Sequence, residues 1–259
     1  MTLIENSVAF PLFVSHVVTI LIFVFFSRDR IQQKEAYTYQ KARLQARALI
    51  AQMNPHFIFN TLNGIQSTML LKGEKEANRY IGTFSHLMRK TFEMSALEKI
   101  SLSEEVDFLK NYISLQEMRL NYHIKSRYEI DPALDLEITE MPALMVQPLV
   151  ENAILHGISP LKKSGELTIR FIRGGSTLFV EVIDNGVGRE KAQKYKARIK
   201  KKNNKFPSAT KILVDRIDLY NYMEKTAADF KLEDRMKAGE LIGTKATLKL
   251  PNLIKNKKA

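Results

Sequence analysis

The apolar residues of the chain follow three successive patterns, and the first is an uninterrupted run. Residues 8–26, VAFPLFVSHVVTILIFVFF, contain no Asp, Glu, Lys or Arg. This length matches the roughly 20 residues with which an α-helix crosses the hydrocarbon of a bilayer. The basic stretch SRDRIQQK follows at once, whereas the residues before the run carry only Glu5. The positive-inside rule therefore predicts one transmembrane helix with the residues after it in the cytoplasm.

This prediction leaves residues 1–7 as a short extracytoplasmic N-terminus and implies that the chain has no extracytoplasmic sensor domain. A cleaved signal peptide is less consistent with the sequence, because the basic residues follow the apolar run and no small-residue cleavage site comes after it. We expect a single-pass protein of the cell inner (cytoplasmic) membrane, with the lipid bilayer as one of its partners.

The second pattern is a helical periodicity between residues 27 and 120. Residues 27–51 are polar and contain neither Gly nor Pro, which predicts a helical connector. Apolar residues between Ile58 and Met69 then recur at the spacing of one helical face. Gly73 predicts a break, a second helical stripe runs from Ile81 to Phe92, and Ser103 with two acids predicts the start of a third helix. Residues 52–120 are thus predicted to be an all-α unit whose apolar faces need a partner.

The third pattern begins after Asn121 and consists of short runs typical of β-strands. Helical stretches are predicted between them, at residues 143–156 and 211–225. Strands mixed with helices predict a separate α/β domain over residues 121–254, followed by a basic tail at 255–259. The predicted strands are residues 126–131, 166–172, 177–183 and 244–250.

Composition and charge exclude several classes of function. The chain has no cysteine, so disulfides, thiolate metal sites and cysteine nucleophiles are excluded. The net charge of +12 is concentrated in residues 28–47, 189–205 and 255–258. These blocks carry few aromatic residues and no recognised reading module, so we do not expect nucleic acid to be a partner.

Two segments of the predicted α/β domain place polar residues among apolar ones. In MPALMVQPLVENAILHG, Pro142 is expected to start a helix and Gly157 to end it. Glu151 and Asn152 interrupt its apolar side and offer oxygen ligands suited to Mg²⁺ that carries a nucleotide's phosphates. In IDNGVG, Asp184 follows a predicted strand and can accept a hydrogen bond from an exocyclic amine.

Glycines accompany these polar residues. Gly186 and Gly188 allow the backbone after Asp184 to pass close to a ring or a phosphate. Gly243 and Thr244 open the last predicted strand, in GELIGTKATLKLP. Each of these signals is weak alone, but their order and spacing together are specific.

The segment QMNPHFIFNTLNGIQ, residues 52–66, carries a different chemistry. His56 follows Pro55, and Asn60 lies one helical turn later. Imidazole is both neutral near pH 7 and nucleophilic, so it can accept a phosphoryl group. A plain helix cap with a merely exposed histidine is the alternative that these residues alone leave open.

The order ENA, DNGVG and GT before a closing strand resembles the nucleotide boxes of the Bergerat ATP-binding fold. QMNPHFIFNTLNGIQ together with QPLVENAILHGI resembles the LytS-type sensor histidine kinases, over about residues 45–252. The resemblance implies a dimerisation hairpin that forms a four-helix bundle as a homodimer, followed by an α/β sandwich of the Bergerat type that binds ATP and Mg²⁺.

The resemblance also implies roles for individual residues. His56 would be the phosphoacceptor, with Asn60 orienting its ring or a water, and Glu151 would be a base or a polar orienter. Asn152 would hold Mg²⁺ and Asp184 would contact the adenine amine. The remaining nucleotide-binding positions are His156, Gly186, Gly188, Arg216, Gly243 and Thr244.

The implied reaction is autophosphorylation of His56 by ATP, followed by transfer to an aspartate of a cytoplasmic response regulator. A second membrane protein is a further expected partner for sensing. The segment FPSATKILVDRIDLYN, residues 206–221, departs from the family, because Ser208, Ala209 and Thr210 stand where glycines are expected. The basic lid at residues 191–205 either offsets this by contacting phosphates or is a solvated loop. The alternative function is therefore a dimeric signalling scaffold that binds nucleotide weakly or not at all.

Overall fold

The computed structural model describes residues 55–193, 209–251 and 253, together with the helical residues Arg28 and Arg30. The chain divides into two compact units, Met1–Ala48 and Leu49–Ala259, and every element below belongs to the second. Among the described residues, no helix combines the length and apolar character needed to cross a bilayer. The predicted transmembrane helix at residues 8–26, most of the connector and the basic tail lie outside the described residues.

The first two helices form a hairpin. Helix α1 spans Pro55–Lys72 and helix α2 spans Glu74–Ser95. Gly73 separates them with φ of 85°, in the left-handed region that glycine adopts without steric cost. The break predicted at this residue is confirmed.

The buried side of the hairpin differs from the apolar stripe seen in the sequence. On α1 the fully buried residue is Thr61, whose hydroxyl donates to the Phe57 carbonyl at 2.8 Å, while Leu62 and Met69 are half exposed. On α2, Ile81 and Phe92 are likewise exposed. The predicted apolar faces therefore remain available to another molecule. The residues of α2 that are buried within the chain are Ala77, Tyr80, Leu87, Thr91 and Met94.

Helix α3, Leu102–Leu120, follows the short strand β1, Lys99–Ser101. Its N-cap is Ser101, whose hydroxyl accepts from the Glu104 N–H at 3.2 Å while the Glu104 carboxylate accepts from the Ser101 N–H at 2.8 Å. This is a reciprocal capping box. The expectation that Ser103 marks the start of this helix was wrong by two residues, because the box requires Ser and Glu three positions apart.

Helix α3 packs against the hairpin on one side and against the remainder of the chain on the other. Val106, Leu109 and Ile113 are buried. Phe108 and Tyr112 are buried as well, on a different side of the helix. Helix α3 therefore contributes buried residues both to its contact with the hairpin and to its contact with the elements that follow it.

The residues after helix α3 contain a five-stranded mixed sheet. Strands β2 (Ile124–Ile130) and β4 (Gly165–Gly174) run parallel, and the other neighbouring strands of this sheet are antiparallel. Strand β3, Glu140–Pro142, pairs with β1 in a separate two-stranded sheet. The order of the large sheet is β2 (Ile124–Ile130), β4 (Gly165–Gly174), β5 (Thr177–Asp184), β7 (Glu240–Leu250) and β6 (Asp229–Lys237). The four predicted strands are confirmed. Strand β6 and the short strands β1 and β3 were not predicted.

One face of the sheet is apolar and the other carries charges. Cross-strand register places Ile169, Val182 and Ala246 side by side, and all three are buried. On the opposite face Arg170 contacts Glu129 at 2.6 Å and Glu181 at 3.7 Å, each on a neighbouring strand. The alternation of side chains along each strand produces this division.

Helices cover the apolar face. Helix α4 spans Gln147–Asn152 and continues through a π turn at Ala153–Ile158 and a 3₁₀ turn at Ser159–Leu161. Helix α5 spans Ala209–Glu224. The helix predicted at residues 143–156 thus starts four residues later and runs past Gly157. The predicted α/β sandwich is confirmed.

We predict that Ser101→Ala lowers the free energy of unfolding by about 1 kcal/mol, because the Glu104 N–H loses its acceptor at the start of α3. Urea unfolding followed by circular dichroism measures the change. Ser103→Ala is the matched control, expected to change the free energy by less than about 0.5 kcal/mol. Equal losses in the two variants would contradict the assignment of the cap.

Candidate functional site

Asp184 ends strand β5 with its carboxyl group buried, at 1% exposure. Its Oδ1 accepts from the Gly186 N–H at 2.7 Å and from the Thr244 N–H at 3.4 Å. Its Oδ2 accepts from the Thr244 hydroxyl. The strand pairing of β5 with β7 brings Thr244 to this position. The carboxyl group is therefore fixed in orientation by its own loop and by the neighbouring strand.

The electrostatics of Asp184 have two opposing causes. Burial raises the pKa of the Asp184 carboxyl above its usual value, while the hydrogen bonds from Thr244 and Gly186 and the charge of Arg235 oppose the rise. Arg235 also donates to the Asp184 backbone carbonyl at 3.0 Å. A hydrogen bond to a fixed acceptor in such a low-dielectric setting is stronger than one in water. The site suits recognition of a planar donor such as an amine on a ring.

Glycines allow the backbone to close around Asp184. A Cβ at Gly157 would lie 2.8 Å from Asp184 Oδ1, and one at Gly186 would overlap the Gly157 backbone. Gly243 has φ of 129°, and a Cβ there would overlap the Asp184 carbonyl. The Val187 N–H donates to the Gly157 carbonyl at 3.0 Å and ties the two segments together.

Gly157 is a site residue that the sequence analysis missed. It was expected to end a helix, whereas it lies inside the π turn and packs on Asp184. The extra residue of a π turn rotates the following side chains, and such turns are frequent at functional sites. The signal in the sequence was a glycine within an apolar helical run, which has a packing explanation as well as a terminal one.

Asn152 ends helix α4 and is half-buried. Its Nδ2 donates to the Thr210 hydroxyl at 3.1 Å, in the first turn of α5. Thr210 stands where a glycine was expected, so the departure from the family contacts a candidate ligand directly. With Nδ2 held by Thr210, the amide presents its oxygen, a hard ligand, in a defined orientation.

The donor set fits Mg²⁺. Within the described residues, no group of three or more His, Cys, Asp or Glu side chains is arranged to hold a metal ion. Mg²⁺ characteristically binds through one or two protein ligands, several waters and the phosphates of a substrate. A single amide oxygen at Asn152 matches that mode of binding.

Tyr112 of α3 connects the hairpin with the Asn152 helix. Its ring stacks on Phe57, with centroids 5.8 Å apart and planes at 22°. Burial first, and the negative charge of Glu151 second, raise the pKa of the Tyr112 phenol. Glu151 immediately precedes Asn152, and His56 immediately precedes Phe57. Tyr112 thus contacts the first turn of α1 and lies within the electrostatic influence of the end of α4.

The other predicted residues lie as follows. His56 is in the first turn of α1, but its side chain lies outside what the structure describes, and Asn60 is half-buried one turn later. His156 is half-buried in the π turn. Gly188 has φ of 78° after the Asp184 loop. Ser208 and most of the basic lid, residues 194–205, lie outside the described residues.

Arg216, a nucleotide-binding position according to the resemblance, bonds the backbone of its own chain in this structure. Its guanidinium donates to the Leu144 carbonyl at 3.0 Å and to the Ala143 carbonyl at 2.5 Å. Burial lowers the pKa of Arg216 to about 10, and the charge of Glu105 opposes this. The side chain is therefore engaged with the segment that precedes α4.

We predict that Thr244→Val raises the pKa of Asp184 further, because the hydroxyl that stabilises the carboxylate is lost. A carboxyl whose folded-state pKa is raised favours the folded state while protonated, so that contribution is lost as the pH rises from 3.8 through the folded-state pKa. In the variant this loss extends to higher pH. A carboxyl NMR titration measures the pKa, and urea unfolding at several pH values measures the free energy.

Thr247→Val is the matched control for this experiment. Thr247 lies on the same strand, paired with Glu181 on the charged face of the sheet. The Asp184 titration should be unchanged in this variant. If Thr244→Val also leaves the titration unchanged, the hydroxyl does not hold the carboxylate.

Comparison with known proteins shows similarity to histidine kinases. Residues 44–124 match the family model described as histidine kinase. The chain is 36% identical over 146 residues to the sensor histidine kinase YpdA of Escherichia coli, covering 56% of this chain and 25% of that protein. It is 33% identical over 165 residues to the sensor protein LytS of Oceanobacillus iheyensis, covering 62% of this chain and 28% of that protein. The chain spans about a quarter of the length of these curated relatives.

Among solved structures, the catalytic domain of the histidine kinase ThkA aligns with a TM-score of 0.39 and 14% identity, covering 60% of this chain and 95% of that one. The family model and the sequence relatives each cover part of the chain. Over those parts the chain is similar to sensor histidine kinases, a LytS sensor protein among them.

Proposed function

We propose that the chain is the kinase part of a two-component sensor, in which ATP phosphorylates His56 and the phosphoryl group then passes to an aspartate of a response regulator. The observation that supports the proposal is that α3 packs on the hairpin through Tyr112 and Phe57 and bonds the segment before the Asn152 helix through Glu105. One helix thus contacts both the candidate phosphoacceptor hairpin and the segment leading to the candidate metal ligand. Both halves of the reaction are then present on one chain.

Nucleotide binding is assigned to the Asp184 pocket. The adenine amine donates to the Asp184 carboxylate, and Thr244 keeps that carboxylate oriented. Gly157, Gly186 and Gly243 let the surrounding backbone pack closely around Asp184, because a Cβ at any of them would overlap atoms of the chain. Asn152 and Thr210 lie toward the phosphate end.

The Asn152 amide oxygen would hold Mg²⁺. When bound, the ion neutralises charge on the phosphates and aligns the terminal phosphorus with its acceptor. Thr210 keeps the amide from rotating, since it accepts from Nδ2 at 3.1 Å. A threonine in place of the expected glycine therefore supports the ligand.

The transfer itself needs alignment more than activation. A ring nitrogen of neutral His56 forms a bond to the γ-phosphorus, the bond from that phosphorus to the β–γ bridging oxygen breaks, and ADP leaves. Glu151 receives or orients the ring proton, and Asn60 holds the imidazole or a hydrolytic water. The phosphohistidine then donates the phosphoryl group to a carboxylate oxygen of the response regulator.

The assembly is proposed to be a homodimer attached to the membrane. Exposed apolar residues on the hairpin include Phe59 at 66% and Leu71 at 80%, and a four-helix bundle of two hairpins would bury such residues. The run at residues 8–26 supports a single-pass anchor in the inner membrane, with sensing through the bilayer or a membrane partner. No observation on the described residues favours the scaffold alternative.

The test of the kinase is incubation of the chain with γ-labelled ATP and Mg²⁺. We expect acid-labile label on the parent protein and none on His56→Gln, because the acceptor nitrogen is removed. Asn152→Ala should lower labelling by more than about tenfold while leaving the acceptor intact. Absence of label from the parent, together with no thermal shift on adding nucleotide, would favour the scaffold.

The test of the dimer is Leu62→Glu, at a half-exposed apolar position of α1. Burying a carboxylate against a second hairpin is costly, so we expect the dimer dissociation constant to rise by at least about tenfold. Light scattering across a dilution series measures it. Ser67→Glu introduces the same charge at an exposed position on a different side of α1 and should have little effect. A bundle unaffected by both changes does not use this face.

A further inference from the structure

The segment leading into the Asn152 helix is held from two sides by charged side chains. From α3, Glu105 accepts from the Leu144 N–H at 3.3 Å and from the Val146 N–H at 3.2 Å. From α5, Arg216 donates to the Leu144 and Ala143 carbonyls at 3.0 and 2.5 Å. Both polar groups of the Leu144 backbone are therefore bound by side chains of opposite charge.

The backbone held in this way is in an unfavourable conformation. Leu144 has φ of 57°, in the left-handed region that residues with a side chain seldom adopt. It is also fully buried, so water cannot replace the hydrogen bonds of Glu105 and Arg216. Glu105 itself has no exposed surface. The conformation of Leu144 thus depends on the two charged side chains.

This segment determines where helix α4 begins. The N-cap is Val146, and Asn152 lies only six residues later at the end of the helix. The Glu105 carboxylate lies at the positive end of the helix dipole, and the charge of Arg216 compensates its burial. A shift of the start displaces Asn152, because a helix of this length moves as one body.

We propose that Glu105 and Arg216 are positioning residues that fix the start of α4 and thereby place the Asn152 amide for the metal-bound nucleotide. Arg216 acts by holding the backbone at Ala143 and Leu144, and does not contact phosphate. We call the hydrogen bonds of Glu105 and Arg216 to the backbone of residues 143–146 the backbone clamp. The inference rests on the proposed function for the metal role of Asn152, whereas the clamp does not depend on it.

The decisive change is Glu105→Gln in the full chain. Glutamine keeps one acceptor oxygen, but its NH₂ group faces an N–H donor, so one of the two backbone bonds is lost. Affinity for a non-hydrolysable ATP analogue is measured by calorimetry with Mg²⁺ and again with EDTA. We expect binding to weaken on the order of tenfold in Mg²⁺ and by less than about twofold in EDTA, because only the metal ligand is displaced.

Two controls separate positioning from general stability. Val106→Ala removes buried volume from the same helix and leaves Glu105 and Arg216 intact. It should lower the melting temperature without changing the ratio of the two affinities. Glu104→Gln makes the same chemical change at the exposed neighbouring residue and should alter neither affinity.

Arg216→Lys tests the second side chain that holds the Leu144 backbone. This variant also keeps the proposal testable if Glu105→Gln fails to fold. One ammonium group cannot reproduce the fork that bonds both carbonyls, so the same Mg²⁺-specific loss is expected. Equal weakening in Mg²⁺ and EDTA would show that Arg216 contacts phosphate and would overturn the proposal. No weakening in either condition would overturn it as well.

Hydrogen exchange of the free protein tests the clamp independently of nucleotide. The amides of Leu144 and Val146 should exchange at least about tenfold faster in folded Glu105→Gln, because they lose a buried acceptor. Unchanged exchange would overturn the clamp even if the kinase is active. Conversely, faster exchange in a protein whose parent binds no nucleotide would refute the proposed function and leave the clamp standing.

Discussion

The buried carboxylate of Glu105 constrains how helix α3 packs against helices α4 and α5. Removing a carboxylate from water is costly unless hydrogen bonds and an opposite charge replace its hydration. Backbone N–H groups before α4 and the guanidinium of Arg216 provide that replacement. Burial still raises the pKa of Glu105 to about 7, so the compensation is partial. Helices α3, α4 and α5 must therefore keep a common arrangement for the charge to be tolerated.

Helix α3 gains a second role from this arrangement. Two turns beyond Glu105, Tyr112 stacks on Phe57, the residue after the candidate phosphoacceptor. The same helix thus contacts the hairpin through an aromatic pair and the Asn152 helix through a buried charge. A rotation of α3 would affect the turn of the candidate phosphoacceptor and the candidate metal ligand together. The exposed apolar residues of α1 and α2, by contrast, take no part in this packing and are free to meet a second hairpin.

Much of the fold was predictable because its signals are local. The break at Gly73, the hairpin helices and four strands follow from glycine conformation and from periodicity along the chain. Strand β6 was missed because its sequence, DFKLEDRMK, is strongly charged, and its pairing with β7 is what stabilises it. The cap at Ser101 was missed because Ser103 carries the same local signal, and only the reciprocal bonds with Glu104 distinguish the two.

For the candidate site too, some features were predictable from the sequence and others were not. Asp184, Thr244, Asn152 and the glycines of the Asp184 loop were identified from their order in the sequence, and the fold brings Asp184 against Thr244 and Gly157. Sequence order says nothing about which groups an arginine or a threonine meets 58 to 73 residues away. Arg216 was expected at the nucleotide and instead holds Ala143 and Leu144, while Thr210, expected to weaken the site, bonds Asn152.

By itself, the sequence showed the resemblance to a kinase family, the α/β class of the segment after α3 and the chemistry of the residues involved, because residue type and short-range spacing carry that information. The tertiary structure alone decided that Gly157 lies on Asp184, that Tyr112 joins the two halves and that Glu105 is buried. Each of these is a contact between segments far apart in the chain, and its energy depends on burial that no local pattern specifies.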